Sequence, residues 1–343
     1  MTIRDVARVA EVHPGTVSRA LNEQTRQLVN PQTAERVLRA AADLGYRPNP
    51  IARGLKTNRS YTVGVLIPDL TNPLFPPIMR GIEDRLGDAG YTSLIVNTDN
   101  DPVRERSQME AMRARQVDGY ISATARLDVD LSGGAVAPMV LVNRSLEDER
   151  LTAVTVDDRH GVGLSVDHIV SLGHSRIGHV GGPQNLSTGH RRYLGFRAAM
   201  ARHGLPAPAE RITFADAFME EEGARACEQL LDQAELTAIV AANDRLAIGC
   251  YDVLEARGLR CPGDVSIVGF NDMPFVDRLR PPLTSVRVPQ REIGETAAEL
   301  LLAELIDASA PRGEVLLEPS LVVRGSTAPP VVRGSTAPPG GTA

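Results

Sequence analysis

The stretch TIRDVARVAEVHPGTVSRALN, residues 2–22, holds two short helical segments and a tight connection. In the first, Ile3, Val6, Ala7 and Ala10 recur at helical spacing. Thr2 can cap its start, with Asp5 three positions on as the reciprocal acid. In the second, Pro14 to Leu21, the helical period turns Val17 and Leu21 inward and Gly15, Thr16, Ser18 and Arg19 outward. Small polar residues let such a helix enter a major groove about 12 Å wide, and an Arg can fork onto a guanine edge. Asn30-Pro31 starts a third helix, Asn30 as cap and Pro31 at the first helical position. Val37, Leu38, Ala41 and Leu44 form its apolar stripe, and Gly45 ends it. A generic helical hairpin is the plain alternative. Three helices within 46 residues favour a compact DNA-binding bundle.

Two further stretches, LGYRPNPIARGLKTNRS at 44–60 and VGVLIPDLTNPLF at 63–75, complete a pattern. From Thr2 to about Thr327 the chain resembles the lactose-repressor (LacI-type) family of bacterial transcription regulators. The resemblance implies a small all-α helix-turn-helix DNA-binding domain at 1–46. A hinge at 47–60 follows, then a two-lobed α/β periplasmic-binding-protein-like effector domain at 61–327. The DNA contacts are expected at His13, Pro14, Gly15, Thr16, Ser18, Arg19 and Asn22 in the head. In the hinge they are expected at Ala52, Arg53, Leu55 and Lys56. Gly54 in so short a helix costs about 1 kcal/mol, so the hinge is expected to be unstructured off DNA. In the family it folds when two copies meet over the operator. The residue matching Leu55 then wedges into the minor groove and kinks the duplex. An ordinary flexible linker is the alternative. The opening departs from the family twice: Glu11 stands where a Gly is usual in the turn, and His13 where Ser often caps the second helix. Either change could cost the bundle a little stability.

The charge is unevenly placed. Residues 1–60 carry 10 Lys and Arg against 5 Asp and Glu, a net of +5; the rest carry 27 against 38, a net of −11. A basic head on an acidic body suits a protein that meets phosphates only with its head. Cys227, Cys250 and Cys261 show neither a disulfide framework nor metal spacing, and read as thiols in a reducing cytoplasm. No apolar run approaches membrane-span length and no signal peptide is visible. A cytoplasmic location is therefore expected, with no membrane partner and no metal or cofactor.

From Tyr61 apolar strands alternate with amphipathic helices. Strands are expected at 63–67, 93–97, 119–122, 139–142, 153–156, 177–180, 211–214, 238–241 and 266–270. The helices between are expected at 75–89, 104–115, 161–172, 191–203, 220–233, 245–257 and 289–306. This is the pattern of parallel doubly wound sheets, and its length suggests two lobes. The family implies an N-lobe of about 61–157 and 287–317 and a C-lobe of about 158–286 and 318–327. The segment VVRGSTAPP occurs at 322–330 and again at 331–339. Residues 328–343 read as a disordered tail carrying this duplicated end.

Ligands of open α/β sheets sit at the carboxyl ends of strands. Polar residues there are Asp69 with Asn72 and Phe75, Asn143-Arg144, Asn243-Asp244 and Asn271-Asp272, with Arg192 at a helix start. The effector site is accordingly expected at Asp69, Asn72, Phe75, Asn143, Arg192, Asn243, Asn271 and Asp272. Family contacts match Asn72, Phe75, Asn143, Arg192, Asn243 and Asn271. Sugar-binding members frequently have Asp where Asn143 and Asn271 stand, and some have Gln where Val288 stands. The structural alternative for these Asn and Asp residues is a cap or turn, and for Arg192 an ion pair with a neighbouring acid.

Gly178–Pro183 (GHVGGP) is neither a dinucleotide fingerprint nor a P-loop, and no nucleophile elbow is present. His174 and His179 read as fold-stabilising. The chain is therefore not expected to be an enzyme. It is expected to be a dimeric, or tetrameric, transcription regulator and most simply a repressor. Its partners would be a pseudo-palindromic operator bent at its centre and a small effector, a sugar or related metabolite. The alternatives are a sugar- or nucleotide-handling enzyme and a transport binding protein on the same lobes.

Overall fold

A computed structural model describes residues 1–47, 59–128, 137–146 and 151–331, the side chains of residues 23 and 24 apart. The chain divides into two units, residues 1–61 and 62–343. The hinge residues Ala52, Arg53, Leu55 and Lys56 lie outside the described residues.

In the first unit, α1 (Ile3–Val9), α2 (Pro14–Leu21), a single turn α3 (Glu23–Arg26) and α4 (Pro31–Asp43) surround one apolar core. Val6, Ala10, Val17, Ala20, Val37 and Ala41 are buried in it. The turn α3 adds to the three helices expected; Arg26 Nε donates to Ala20 O at 3.0 Å and ties it to α2. Leu38, expected in the stripe, is exposed, while Ala34 and Ala40 are buried. Val37 and Ala41 stay in the core and Leu44 packs against it, while the small Ala34 and Ala40 line the contact in place of Leu38.

Both departures in the opening have local solutions. Glu11 takes φ +50°, the left-handed turn conformation that glycine adopts more easily. His13 caps α2 with its ring: Nδ1 accepts from the Gly15 N–H at 3.1 Å. The Asp5 carboxylate accepts from the Thr2 N–H at 2.8 Å and its hydroxyl at 3.0 Å.

The second unit contains two six-stranded sheets. In the first, β1 (Thr62–Ile67) is flanked by β2 (Thr92–Asn97) and β3 (Gly119–Ser122). Next come β4 (Met139–Val142), β5 (Thr152–Val156) and β11 (Glu314–Leu317), all parallel. In the second, β6 (Ile177–Gly181) is flanked by β7 (Ile212–Phe214) and β8 (Ala238–Ala241). Then follow β9 (Ser266–Asn271), β10 (Thr284–Arg287) and the antiparallel edge β12 (Ser320–Val322). Near-continuous apolar runs such as β1 and β9 are what a parallel sheet covered on both faces requires. The chain changes sheets after Val156, after Arg287 and after Leu317. The short strands β10, β11 and β12 add to the nine expected; exposed residues interrupt the apolar pattern in β11 and β12.

The connecting helices are α5 (Phe75–Asp88), α6 (Pro102–Ala114), α7 (Asp158–Ser171), α8 (Ser187–Arg202), α9 (Glu220–Gln233), α10 (Asp244–Ala256) and α11 (Gln290–Ile306). α7 starts three residues before the expected Gly161, because the Asp157 carboxylate caps it by accepting from the His160 N–H at 2.9 Å. α8 starts at Ser187, four residues before Arg191. That early turn places Thr188 and Arg192 one helical turn apart.

The first copy of the repeat is packed, which corrects the boundary expected at 328. The Arg324 N–H donates to Thr284 Oγ1 at 2.9 Å. The Ser326 hydroxyl donates to Ile267 O at 2.6 Å and accepts from the Thr284 N–H at 2.8 Å. Ala328 O meets His174 Nε2 at 2.8 Å and the Ser266 hydroxyl at 3.1 Å. Of the second copy only Val331 is among the described residues.

Candidate functional site

In the first unit the free face of α2 carries the residues singled out for DNA. Ser18 and Arg19 are exposed, and Pro14, Gly15, Thr16 and Asn22 are half-buried. Val17 and Ala20 hold the opposite face in the core. His13 is engaged as the cap, so its Nδ1 serves the helix start.

In the second unit the carboxyl ends of β1, β4, β8 and β9 converge between the lobes. Asn72, Phe75, Asn143, Arg192, Asn243 and Asn271 line one cavity there. Its volume of about 20 Å³ has room for about one water. Leu74, Arg144, Thr188 and Phe218 line it as well. Thr188 was invisible in the sequence because its helix was expected to start later, and Phe218 because it lies in a loop. Arg144 was legible as the residue following Asn143 at a strand end.

Two expected residues lie elsewhere. Asp69 does not line the cavity; its carboxylate meets Arg245 Nη1 at 3.1 Å across the lobes and accepts from the Thr71 N–H at 2.8 Å. Arg245 also grips Glu220 with two bonds, at 2.9 and 2.6 Å. Asp272 is turned away and pairs with Arg287 at 2.8 Å and Arg324 at 2.6 Å, anchoring the C-terminal segment. In each case a nearby guanidinium outcompetes the cavity for the carboxylate.

Several Asn side chains do double service. Asn72 Oδ1 accepts from the Leu74 N–H at 3.0 Å at the approach to α5. Asn243 Oδ1 caps α10 by accepting from the Leu246 N–H at 2.8 Å. Asn143 (φ +62°) and Asn271 (φ +112°) turn the chain at strand ends, where Asn tolerates the left-handed region better than most residues. Gln290, at the start of α11, donates to Asn271 O at 2.9 Å, while Val288 is buried.

Arg192 is held rigidly. Its Nε meets Asp158 Oδ1 at 2.7 Å and its Nη1 donates to Ala242 O at 2.7 Å. Its guanidinium lies 3.8 Å from the centre of the Phe270 ring. Gly161 makes room for that ring: a Cβ there would stand 2.7 Å from it. Burial pushes the Asp158 carboxyl above the ordinary range, against the pull of Arg192. Asp244 lies beneath, accepting from the Ser285 hydroxyl at 2.5 Å and the Met273 N–H at 2.8 Å. Burial raises it to about 7. Arg144 is also buried, and desolvation lowers it to about 10.

Three buried polar atoms on cavity-lining residues have no hydrogen-bond partner: Arg144 Nε, Thr188 Oγ1 and Asn271 Oδ1. Buried polar groups are normally satisfied, so three orphans at one cavity single it out as the candidate site. A larger cavity of about 600 Å³ opens at the other ends of the second sheet's strands, beside Arg176, Thr237 and Asp264. It lies away from the strand carboxyl ends where such folds bind ligands. His179 and His174 serve the fold: His179 stacks on Phe196 at 4.7 Å and its Nδ1 meets Val240 O at 2.8 Å. Among the described residues no acid, His or Cys cluster could hold a metal ion, and no helix is long and apolar enough to cross a membrane.

A helix-turn-helix head carried on a two-lobed, cleft-bearing α/β body defines a ligand-responsive type of DNA-binding regulator. Residues 2–49 match the family of bacterial regulatory proteins of the lacI type, and residues 166–327 match a periplasmic binding protein-like domain. The chain is 34% identical over 330 residues to the HTH-type transcriptional repressor CytR of Escherichia coli (strain K12), covering 95% of this chain and 96% of that one. It is 32% identical to the HTH-type transcriptional repressor PurR of Photobacterium profundum, covering 95% and 98%. The lac repressor dimer bound to operator and the anti-inducer ONPF superposes with a TM-score of 0.82 at 27% identity, covering 96% and 99%. The chain belongs to the lacI family of bacterial regulatory proteins. These are DNA-binding transcription regulators and not enzymes, so the enzyme and transport alternatives fall away.

Proposed function

We propose that this protein is a cytoplasmic, homodimeric repressor. In this reading α2 of each protomer reads one half of a pseudo-palindromic operator. His13, Pro14, Gly15, Thr16, Ser18, Arg19 and Asn22 make the head's DNA contacts, and residues 47–60 couple the head to the body. Ala52, Arg53, Leu55 and Lys56 would contact a DNA site bent at its centre. A small polar metabolite, a sugar or a relative of one, binds between the lobes and sets operator affinity. The observation that carries the effector reading is the set of three unpartnered polar atoms at one interlobe cavity. The cavity has room for about one water in this pose, so the effector must open the lobes to enter. Ligand and lobe pose are thereby coupled. By linkage, operator DNA changes effector affinity by the same factor that effector changes operator affinity.

The DNA half is tested by selecting a site from random duplexes and measuring binding of the full chain. Arg19→Ala should weaken the selected site by about 1–3 kcal/mol and relax preference at one base pair. Equal weakening on selected and random DNA would reduce Arg19 to a phosphate contact.

A further inference from the structure

The charges facing the cleft are unbalanced. Two guanidiniums, Arg144 and Arg192, line the cavity together with the neutral amides of Asn72, Asn143, Asn243 and Asn271, and no carboxylate lines it. Among the described residues the nearby acids have partners of their own. Asp158 holds Arg192, and Asp244 accepts from Ser285 and Met273. Asp69 and Glu220 hold Arg245, and Glu105 accepts from the Thr124 hydroxyl at 2.6 Å.

Arg192 therefore has a counter-charge in direct contact; Arg144, among the described residues, has only the longer-range pull of Glu105, which Arg126 opposes. Among the described residues no acid lies within ion-pair distance of Arg144. Its guanidinium makes one hydrogen bond there, from Nη1 to the neutral Asn100 Oδ1 at 3.1 Å, and its Nε has none. Arg144 is 5% exposed, so water does little to screen it. A buried cation with no acid in direct contact is costly, and charge-assisted pairs with a flat guanidinium are the strong hydrogen bonds. The Thr188 hydroxyl, also unpartnered, is a second group able to donate at the same cavity. Phe75 and Phe218 supply apolar walls for a carbon skeleton, and the amides suit hydroxyls, to which they can both donate and accept.

Building on the cleft as the effector site, we infer that the effector is a small polyol bearing an anionic oxygen group, a carboxylate or a phosphate, seated on Arg144 and Thr188. A neutral sugar would leave Arg144, among the described residues, buried without an acid in ion-pair contact.

The test uses the full chain and calorimetric titration with matched pairs. These are glucose against gluconate, glucose against glucose 6-phosphate, and ribose against ribose 5-phosphate, with inorganic phosphate alone as a fourth probe. At least one anionic member should bind ten-fold or more tightly than its neutral partner, and which pair responds separates carboxylate from phosphate. The double variant Asn143→Asp, Asn271→Asp, which adds two negative charges at the cavity, should shrink that ratio at least ten-fold. Arg144→Gln should do the same where it folds. Tighter or equal binding of a neutral sugar, lost in Asn243→Ala, would overturn the anionic reading and leave the cleft as an effector site. An anion bound undiminished by the double variant would overturn the assignment to Arg144. Failure of every probe, the anions included, would also count against it, and the cleft reading would fall as well only if no metabolite altered operator binding.

Discussion

Arg192 and Asp158 are both 2% exposed and bonded at 2.7 Å, so each is the condition for burying the other. Removing one partner of such a pair typically costs about 3–5 kcal/mol, because the other is left as an uncompensated buried group. Arg192→Ala should therefore destabilise the protein by that amount, in addition to any loss of effector. Arg192→Ala with Asp158→Asn should cost clearly less than the sum of the single changes. Urea unfolding of the four proteins measures this; simple additivity would mean the pair is not coupled. His179 makes a second residue-scale prediction. Burial lowers its imidazole from the ordinary 6.5 to about 4. The folded state thus resists protonation that the unfolded chain accepts. Its contribution is complete above pH 6.5 and fades as the pH falls toward 4. The stability advantage of the wild type over His179→Gln should shrink by about 2 kcal/mol between about pH 7 and about pH 5. Asp244 has the opposite sign, since its raised value removes stability as the pH climbs from 3.8 through 7. It is present in both proteins and cancels in the comparison. An advantage equal at both pH values would place protonated His179 comfortably in the fold.

Between elements, glycines decide how closely helices approach. Gly81 on α5 and Gly294 on α11 face each other so closely that a Cβ on Gly294 would stand 2.0 Å from Ile78 O. That contact packs the two helices backbone to backbone on the first sheet. Gly87, near the end of α5, is exposed and has nothing within 4 Å of its Cβ position. The same substitution should then act in opposite directions on one helix pair. Gly294→Ala should destabilise by roughly 1–3 kcal/mol or more through overpacking. Gly87→Ala should stabilise by about 0.4–1 kcal/mol, by restricting the unfolded chain and improving helix propensity. Thermal unfolding of both variants checks this, and a neutral Gly294→Ala would show that α5 and α11 separate at little cost. The sequence marks each helix as amphipathic, but it does not distinguish these two glycines. Only the facing helix does that.

At the scale of the molecule, the chain crosses between sheets three times, and the last passage ends in the packed first copy of the repeat. Arg324, Ser326 and Ala328 satisfy groups on Asp272, Thr284, Ile267, Ser266 and His174. Ending the chain after Val323 would strand several of these, at about 1–3 kcal/mol for each buried group left unpaired. We expect that truncation to abolish cooperative unfolding of the second lobe, while removal of residues 332–343 leaves melting temperature and DNA binding unchanged. A melting point several degrees lower after the shorter truncation would assign the second copy a packing role.

The sequence alone determined what depends on local period and residue type. The core pattern of α1 and α2, the outward Arg19, the alternation of strands and helices and the strand-end positions of Asn72, Asn143, Asn243 and Asn271 are all short-range features. Each follows from side-chain spacing along one element. Only the tertiary structure decided which polar side chains were already engaged. Asp69 and Asp272 left the cavity because Arg245 and Arg324 reach them from segments 176 and 52 residues distant. Arg144 gained its importance for the converse reason, since among the described residues no acid was brought within ion-pair distance of it. Whether a buried charge is paired depends on partners far apart in the chain, and spacing within a single element carries no record of them.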